Sequence, residues 1–516
     1  LRMFANFENS EDELQLANKG IAKEKLETQL LNFEKGFPYA HLQQAATPGN
    51  GIVVLNNEQI SDYIHYYEKQ LATIKALKFV PASGAASRMF KRLSEFLEAH
   101  VHNAHYLRTY YPDVATFIHH LSKFAFYEEL KTCIEKDGET IEDLLQKEQY
   151  NKIILYLLTP LGLNYGNLPK ALLSFHRYAE NTRTAFEEHL VEGVAYAKNV
   201  QNEVAVHFTI SPEHKSAFIE KMNHVLPIYE DAFSVTFKLS FSEQKPSTDT
   251  IAVNENNEII RNEDGSMLFR PGGHGALIEN LNDCDADIIF IKNIDNVVVD
   301  TLKQSTYTYK KALAGLLLSI QAATFDLLKQ LDGDVDDATL KIIEDFAKNT
   351  LYIHVPSQYA VAPKEEKIAF WKKSLNRPIR VCGMVKNEGE PGGGPFWVLN
   401  EQNEESLQVV ESSQIDYKNK LQERIAVKAS HFNPVDIVCA TKNMHGEKFY
   451  LPDFVDPKTG FISSKSKDGK TLKAQELPGL WNGAMANWIS IFVQVPISTF
   501  NPVKTVNDLL RKEHQA

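Results

Sequence analysis

Ala82-Ser83-Gly84-Ala85-Ala86-Ser87 follows a short apolar run, Ile74–Pro81, and leads into a helical pattern. Small side chains at the end of a buried strand let backbone N–H groups close on phosphate oxygens, aided by the positive end of the next helix. Arg88, directly after, offers a guanidinium fork to the same oxygens. The other reading is a tight strand-to-helix turn with a surface arginine. Further motifs follow in order: Leu168-Pro169-Lys170-Ala171-Leu172-Leu173, Pro271-Gly272-Gly273-His274-Gly275, Ile291-Lys292-Asn293-Ile294-Asp295-Asn296 and Phe500-Asn501-Pro502-Val503-Lys504. Singly, each has an ordinary reading. Pro169-Lys170 is a helix start, His274 a loop histidine, Asp295-Asn296 a turn after a buried strand, and Lys504 a solvated side chain. Their shared order is what carries information. His119, His120, His176 and His189 lie in helical stretches without carboxylates at ligand spacing, which argues against zinc.

Jointly, the motifs resemble those of UDP-sugar pyrophosphorylases, the UDP-glucose and UDP-N-acetylhexosamine members of the sugar-phosphate nucleotidyltransferases. The turn is similar to their Gly-Gly-x-Gly-Thr-Arg-Leu signature, with Ser83 and Ala86 in place of glycines and Ser87 in place of threonine. Pro169–Leu173 matches the Pro-Lys-x-Leu-Leu that follows, so residues 90–165 form a helical insertion within the signature. Pro271–Gly275 resembles the Pro-Gly-His-Gly loop whose backbone presses on uracil and ribose. Ile289–Asn296 resembles the strand whose terminal aspartate holds the catalytic magnesium, and Phe500–Leu510 the late Phe-x-Pro-Val-Lys segment whose lysine contacts phosphate. Fainter likenesses lie at Ser242–Pro246, where Gln244 would read the uracil edge, and at Gln408–Ile415 and Phe432–Ile437. These last two would bring Glu411, Asn433 and Asp436 to the sugar.

The resemblance spans about residues 75 to 510 as scattered motifs, and fits a bacterial branch of the superfamily. It implies transfer of UMP from UTP to a sugar 1-phosphate, giving a UDP-sugar and pyrophosphate. The sugar phosphate is already anionic, so no general base is needed; the task is alignment and charge neutralisation. Arg88, Lys170 and Lys504 would be catalytic, and Asp295 would bind Mg²⁺. Ala82, Ser83, Gly84, Gln244, Gly273, His274 and Gly275 would hold the nucleotide. The alternative is a non-catalytic nucleotide- or nucleotide-sugar-binding relative, and the altered turn is its best support.

The elements that must position these residues follow from periodicity. Residues 1–73 read as an N-terminal helical layer, 74–440 as the core with its insertion, and 441–516 as an extension returning Lys504 to the site. Within the core, Leu172–Ala197 reads as a helix, Val204–Ile210 as a strand, Glu213–Leu226 as a helix, and Ser234–Phe241 and Asp287–Ile291 as strands. Residues 301–350 read as helical, and short strands follow from 376. A flexible Gly-rich turn is expected at Glu388–Pro395, a lysine-rich loop at Lys458–Lys470, and a helix before Lys504. Alternating strands and helices predict an α/β fold: a Rossmann-like nucleotidyltransferase core on a mixed, mostly parallel sheet, with added terminal elements.

Composition sets the frame. The 516 residues are 43% hydrophobic and 24% charged, enough for a large core. The net charge of -12 with no Lys/Arg-rich run makes a nucleic-acid surface unexpected. The four cysteines, Cys133, Cys284, Cys382 and Cys439, form no CxxC pair and fit a reducing cytoplasm. Residues 1–12 show no apolar signal core, and the apolar stretches near Gly315–Ile320 and Trp488–Ile497 read as too short to span a membrane.

Overall fold

A computed structural model describes residues 9–389, 393–467 and 470–516. The apolar run before the small-residue turn is the strand Ala76–Pro81, fully buried until its last residue. It pairs in parallel with Glu203–Thr209, with Val80 opposite Phe208, and that strand pairs in parallel with Thr236–Ser242. The helix Lys215–Phe233 connects the latter two, the crossover that parallel neighbours require. These elements belong to a compact unit built from Ala76–Ser242, Ile291–Lys311 and Pro496–Ala516.

The expected insertion is helical. Six α-helices run from Lys91–Glu98 to Tyr150–Leu158, and their inward faces share one core with the strands. Phe96, Phe117, Phe124 and Phe126 are essentially inaccessible there. The same core takes Val503, Val506 and Leu509 from the end of the chain. Burying these three apolar side chains at the full hydrophobic yield is worth roughly 1.5–3 kcal/mol each.

The second unit comprises the chain up to Lys75, Glu243–Phe290 and Ala312–Val495. Its main strands run in the order Thr47–Pro48, Gly51–Val53, Ile489–Val495, Ile379–Lys386, His431–Ala440 and Ile288–Lys292. The first three pairings are parallel and Ile379–Lys386 with His431–Ala440 is antiparallel. The sheet is therefore mixed and mostly parallel, and the fold is α/β. A smaller antiparallel sheet, which includes Thr250–Val253 and the hairpin Phe461–Lys467/Lys470–Glu476, covers the N-terminal helices Ser10–Lys19 and Lys23–Lys35. Leu16, Leu26, Leu30 and Phe33 pack there on Ile251, Val253 and Met267.

Several elements differ from the periodicity. Leu172–Ala197 is a two-stranded ribbon, Ser174–Arg177 with Thr182–Thr184, before the helix Ala185–Tyr196 begins at a Thr184/Glu187 capping box. The N-terminal layer, expected to be helical over residues 1–73, interleaves its helices with the strands His41–Ala45, Thr47–Pro48 and Gly51–Val53. The helix expected before Lys504 is the buried strand Ile489–Val495, and the chain then ends in 3₁₀ turns. The lysine-rich loop is largely hairpin, its tip at 468–469 lying outside the described residues, as do residues 390–392 of the Gly-rich turn and 1–8 of the terminus. Residues 301–350 form two helices, Gln304–Leu331 and Asp337–Asn349. Gln304–Leu331 is, by length and composition, apolar enough to cross a membrane, contrary to the expectation that no stretch would be. Most of its apolar window is buried in the protein, as in a core helix.

Candidate functional site

In the unit built around Ala76–Pro81, three chain segments converge on Asp295. The strand Ile288–Lys292 ends just before it, leaving the carboxylate mostly buried. Lys170 Nζ lies 3.0 Å from Asp295 Oδ2 and donates to the Val503 carbonyl at 2.8 Å. Lys504 Nζ lies 3.9 Å from the same oxygen, with its side chain 66% exposed. One anchored and one solvated ammonium thus face one carboxylate.

Lys504 is held there by its backbone. Asp508 accepts from the Lys504 and Thr505 N–H groups at 2.7 and 2.8 Å, and Arg511 donates to the Pro502 carbonyl at 2.7 Å. Asn296 fastens the approach: its Nδ2 donates to Thr499 O, and its Oδ1 accepts from Asn501 N–H at 2.8 Å. The Asp-Asn and Phe-x-Pro-Val-Lys motifs are therefore clasped together directly.

The small-residue turn is tied to the Pro-Lys motif by backbone hydrogen bonds. Ala86 N–H donates to Leu168 O and Lys170 N–H to Gly84 O. Ala82 is buried and gives its N–H to Thr209 O at 2.9 Å. Two of the turn's amides are thus already used within the protein, while Ser83 is half-buried and Gly84 exposed. A Cβ added at Gly84 would meet open space. A 3₁₀ turn, Ala86–Arg88, stands where a helix start was expected, and Arg88 is exposed at its end, outside the Asp295 cluster.

Sequence reasoning did not find what lies beneath Asp295. Lys78 and Lys292 both bond the buried carboxylate of Glu192, Lys292 at 3.1 and 3.0 Å and Lys78 at 3.4 Å, and Tyr196 adds its hydroxyl at 2.8 Å. Burial pulls the Lys78 ammonium down to about 7. Burial pushes Glu192 upward, but Lys292 and Lys78 overcome it and hold the carboxyl well below its usual range. His189 Nε2 donates to the Ile294 carbonyl at 3.0 Å, fixing the residue that precedes Asp295; burial keeps this ring neutral. Lysines inside strands that read as apolar runs were the available signal.

The other expected residues lie in the other unit. Gly273 has φ +80, and a Cβ there would come within 2.9 Å of Glu476 Oε2; one at Gly275 would overlap the Pro478 carbonyl. The loop needs these glycines. His274 stacks on Trp481 at 4.4 Å, and its Nδ1 accepts from Leu480 N–H at 3.0 Å, which leaves the proton on Nε2 facing Glu411 at 3.9 Å. Burial lowers the His274 pKa against the opposing pull of Glu411. Gln244 Nε2 donates to the Gly273 carbonyl at 3.4 Å.

Asn433 and Asp436 are buried on the strand His431–Ala440. The register slips there between Gly383↔Asp436 and Val385↔Phe432, and Val435 adopts φ +60, a strained conformation for a β-branched residue. Asn433 Oδ1 accepts from the Val435 N–H at 3.2 Å. Trp481 and Glu476 escaped sequence reasoning because they lie far along the chain from the loop they adjoin.

The chain is thus a mixed α/β protein in which two cations and a carboxylate gather after a strand end. Residues 9–515 match the family model described as a domain of unknown function (DUF4301), and the chain belongs to that family. No curated protein matches it. Among solved structures it is similar to the uridine diphosphate N-acetylglucosamine pyrophosphorylase of Trypanosoma brucei, at 11% identity over 99% of this chain and 81% of that one, TM-score 0.48. It is also similar to the UDP-glucose phosphorylase of Trypanosoma brucei (13%, 96% and 76%, TM-score 0.43) and the UDP-glucose pyrophosphorylase of Leishmania major (11%, 96% and 77%, TM-score 0.41).

Proposed function

We propose that this protein transfers UMP from UTP to a sugar 1-phosphate, releasing pyrophosphate. The observation that carries the reading is the convergence of Lys170 and Lys504 on Asp295 from segments remote in sequence. In this reading a phosphate oxygen of the sugar phosphate attacks the α-phosphorus, and the bond from that phosphorus to the bridging α,β-oxygen breaks. Negative charge grows on the equatorial oxygens and on the departing pyrophosphate. Lys504, largely exposed, meets that charge, while Lys170 holds Asp295 and the backbone at Val503 in place. Arg88 takes the leaving phosphates. Gln244, Gly273 and His274 are assigned to the uracil, and Glu411, Asn433 and Asp436 to the sugar.

The residues present fit a magnesium ion of the kind that shares nucleotide phosphates. Among the described residues no three of His, Cys, Asp and Glu gather into a metal cage. Mg²⁺ in phosphoryl-transfer sites commonly takes one or two carboxylates and fills its shell with water and phosphate, a role Asp295 could serve. When bound, the ion would neutralise phosphate charge.

The amides of Ala82 and Ala86, committed within the protein, favour a second reading: a nucleotide-sugar binder without turnover. Pyrophosphate release from UTP, measured over a panel of sugar 1-phosphates with Mg²⁺, separates the two. Asp295→Asn is expected to abolish release while retaining the wild-type circular dichroism. Tight UDP-sugar binding with no release under any acceptor would favour the binder.

A further inference from the structure

A cavity of about 730 Å³ opens in the unit that holds His274, and none of its lining residues belongs to the motifs discussed above. Its walls come from the loop after the helix Asp337–Asn349, the end of the helix Lys364–Leu375, the start of the strand Glu405–Val410 and the approach to Ile489–Val495. Arg377 is the informative residue. Its Nε donates to the Ser374 carbonyl at 2.7 Å and its Nη1 to the Asn487 carbonyl at 3.3 Å, and among the described residues it forms no ion pair. Burial pulls this guanidinium down to about 10, with Glu404 opposing from beyond pairing distance. A cation partly withdrawn from water without a counter-ion gains when an anion arrives.

The rest of the lining asks for something other than a bare anion. Glu405 and Asp453 face the same space. Ionised carboxylates only accept hydrogen bonds, so they call for hydroxyl or amine donors on the ligand. Glu404 is already occupied by Asn400 Nδ2 at 2.9 Å. Tyr352 and Phe370 add aromatic side chains to the lining, and Tyr352 is held at φ +54, a strained conformation of the kind that gathers at ligand sites. Trp488, also in the lining, has a buried indole N–H without a partner.

We propose that this cavity binds an anionic carbohydrate, a sugar phosphate or a sugar acid. Arg377 meets the anionic group, Glu405 and Asp453 meet hydroxyls, and the aromatic rings meet the C–H face. This site is independent of the transfer reaction and stands if that reaction is absent.

The test is titration calorimetry on the full chain with glucose 6-phosphate, gluconate, glucose and inorganic phosphate. Saturable binding is expected for glucose 6-phosphate or gluconate, whichever source of the anion fits, and weaker binding for glucose and phosphate. Lys504→Ala, which removes the exposed cation of the Asp295 cluster, should leave this binding unchanged. Arg377→Gln should weaken it about tenfold or more, the value of a charge-assisted hydrogen bond. Glu405→Gln, a milder change that keeps the strand, should weaken it as well. Absence of binding by both anionic sugars overturns the proposal. So does phosphate binding as tight as sugar phosphate, or binding that Lys504→Ala abolishes and Glu405→Gln leaves intact.

Discussion

Lys504 and Lys170 share a carboxylate but differ in what else they do, and substitution should separate them. Lys504 is largely exposed and touches Asp295 only loosely, so Lys504→Ala is expected to change stability by less than about 0.5 kcal/mol. Lys170 is mostly buried and bonds both Asp295 and the Val503 carbonyl, and its loss leaves a nearly buried carboxylate with only the solvated Lys504 ammonium, at 3.9 Å, to offset it. Lys170→Ala should therefore cost about 2–3 kcal/mol. If the transfer reading holds, both variants lose turnover, Lys504→Ala by on the order of 100-fold. Denaturant midpoints and pyrophosphate release, measured on the same preparations, check the contrast. Equal destabilisation by the two changes would contradict the geometry at Asp295. Both lysines were visible in the sequence because a Pro-Lys pair and a Phe-x-Pro-Val-Lys segment are local patterns. The Lys78–Glu192–Lys292 cluster beneath them was not, because a lysine within an apolar strand reveals its partner only in three dimensions.

At the scale of elements, the strands flanking the turn were legible because parallel strands buried on both faces read as continuous apolar runs. The same property hid Ile489–Val495. A short, fully apolar stretch cannot be told from a buried helical turn by periodicity, so the approach to Lys504 read as a helix. The ribbon at Ser174–Thr184 was lost for another reason: its strands are only 4 and 3 residues long, too short for alternation to register. Close approach between elements is equally invisible. Gly315 sits inside the helix Gln304–Leu331, where alanine would raise helix propensity by about 1 kcal/mol. Yet a Cβ there would lie 1.9 Å from the Tyr63 carbonyl of the helix Asn57–Gln70. Backbone cannot yield as a flexible side chain does, so sterics should win. Gly315→Ala is expected to lower stability by about 2 kcal/mol or more, read as a fall in the thermal midpoint. A rise would show that propensity outweighs packing at this crossing.

At the scale of the whole chain, residues that close one compact unit come from its very end. Pro496–Ala516 belongs with Ala76–Ser242, and its anchor is not only apolar. His514 is buried, stacks on His176 at 5.1 Å and lies 2.8 Å from it, nitrogen to nitrogen. His176 in turn faces Glu188, which also receives Arg183 and Lys303. Burial, reinforced by His176 and by Arg511, pushes the His514 imidazole down to about 3. The unfolded chain would take up that proton near the ordinary histidine value of about 6.5. Between those limits the unfolded state binds a proton that the folded state refuses, so stability present above about pH 6.5 drains away as the pH falls toward 3. The slope from this one group approaches about 1.4 kcal/mol per pH unit once the pH is well below 6.5. Carboxylates with ordinary or lowered values add little until about pH 5, and Glu129, which burial raises, acts in the opposite sense, so a loss of stability between about 6.5 and 5 is assigned to histidines. His514→Gln keeps a polar side chain of similar reach and removes the titration. It should flatten the fall in unfolding free energy over that interval while costing stability at pH 8, where the wild-type ring is neutral and packed. An unchanged slope in the variant would assign the acid sensitivity to other histidines and leave the C-terminal anchor indifferent to protons.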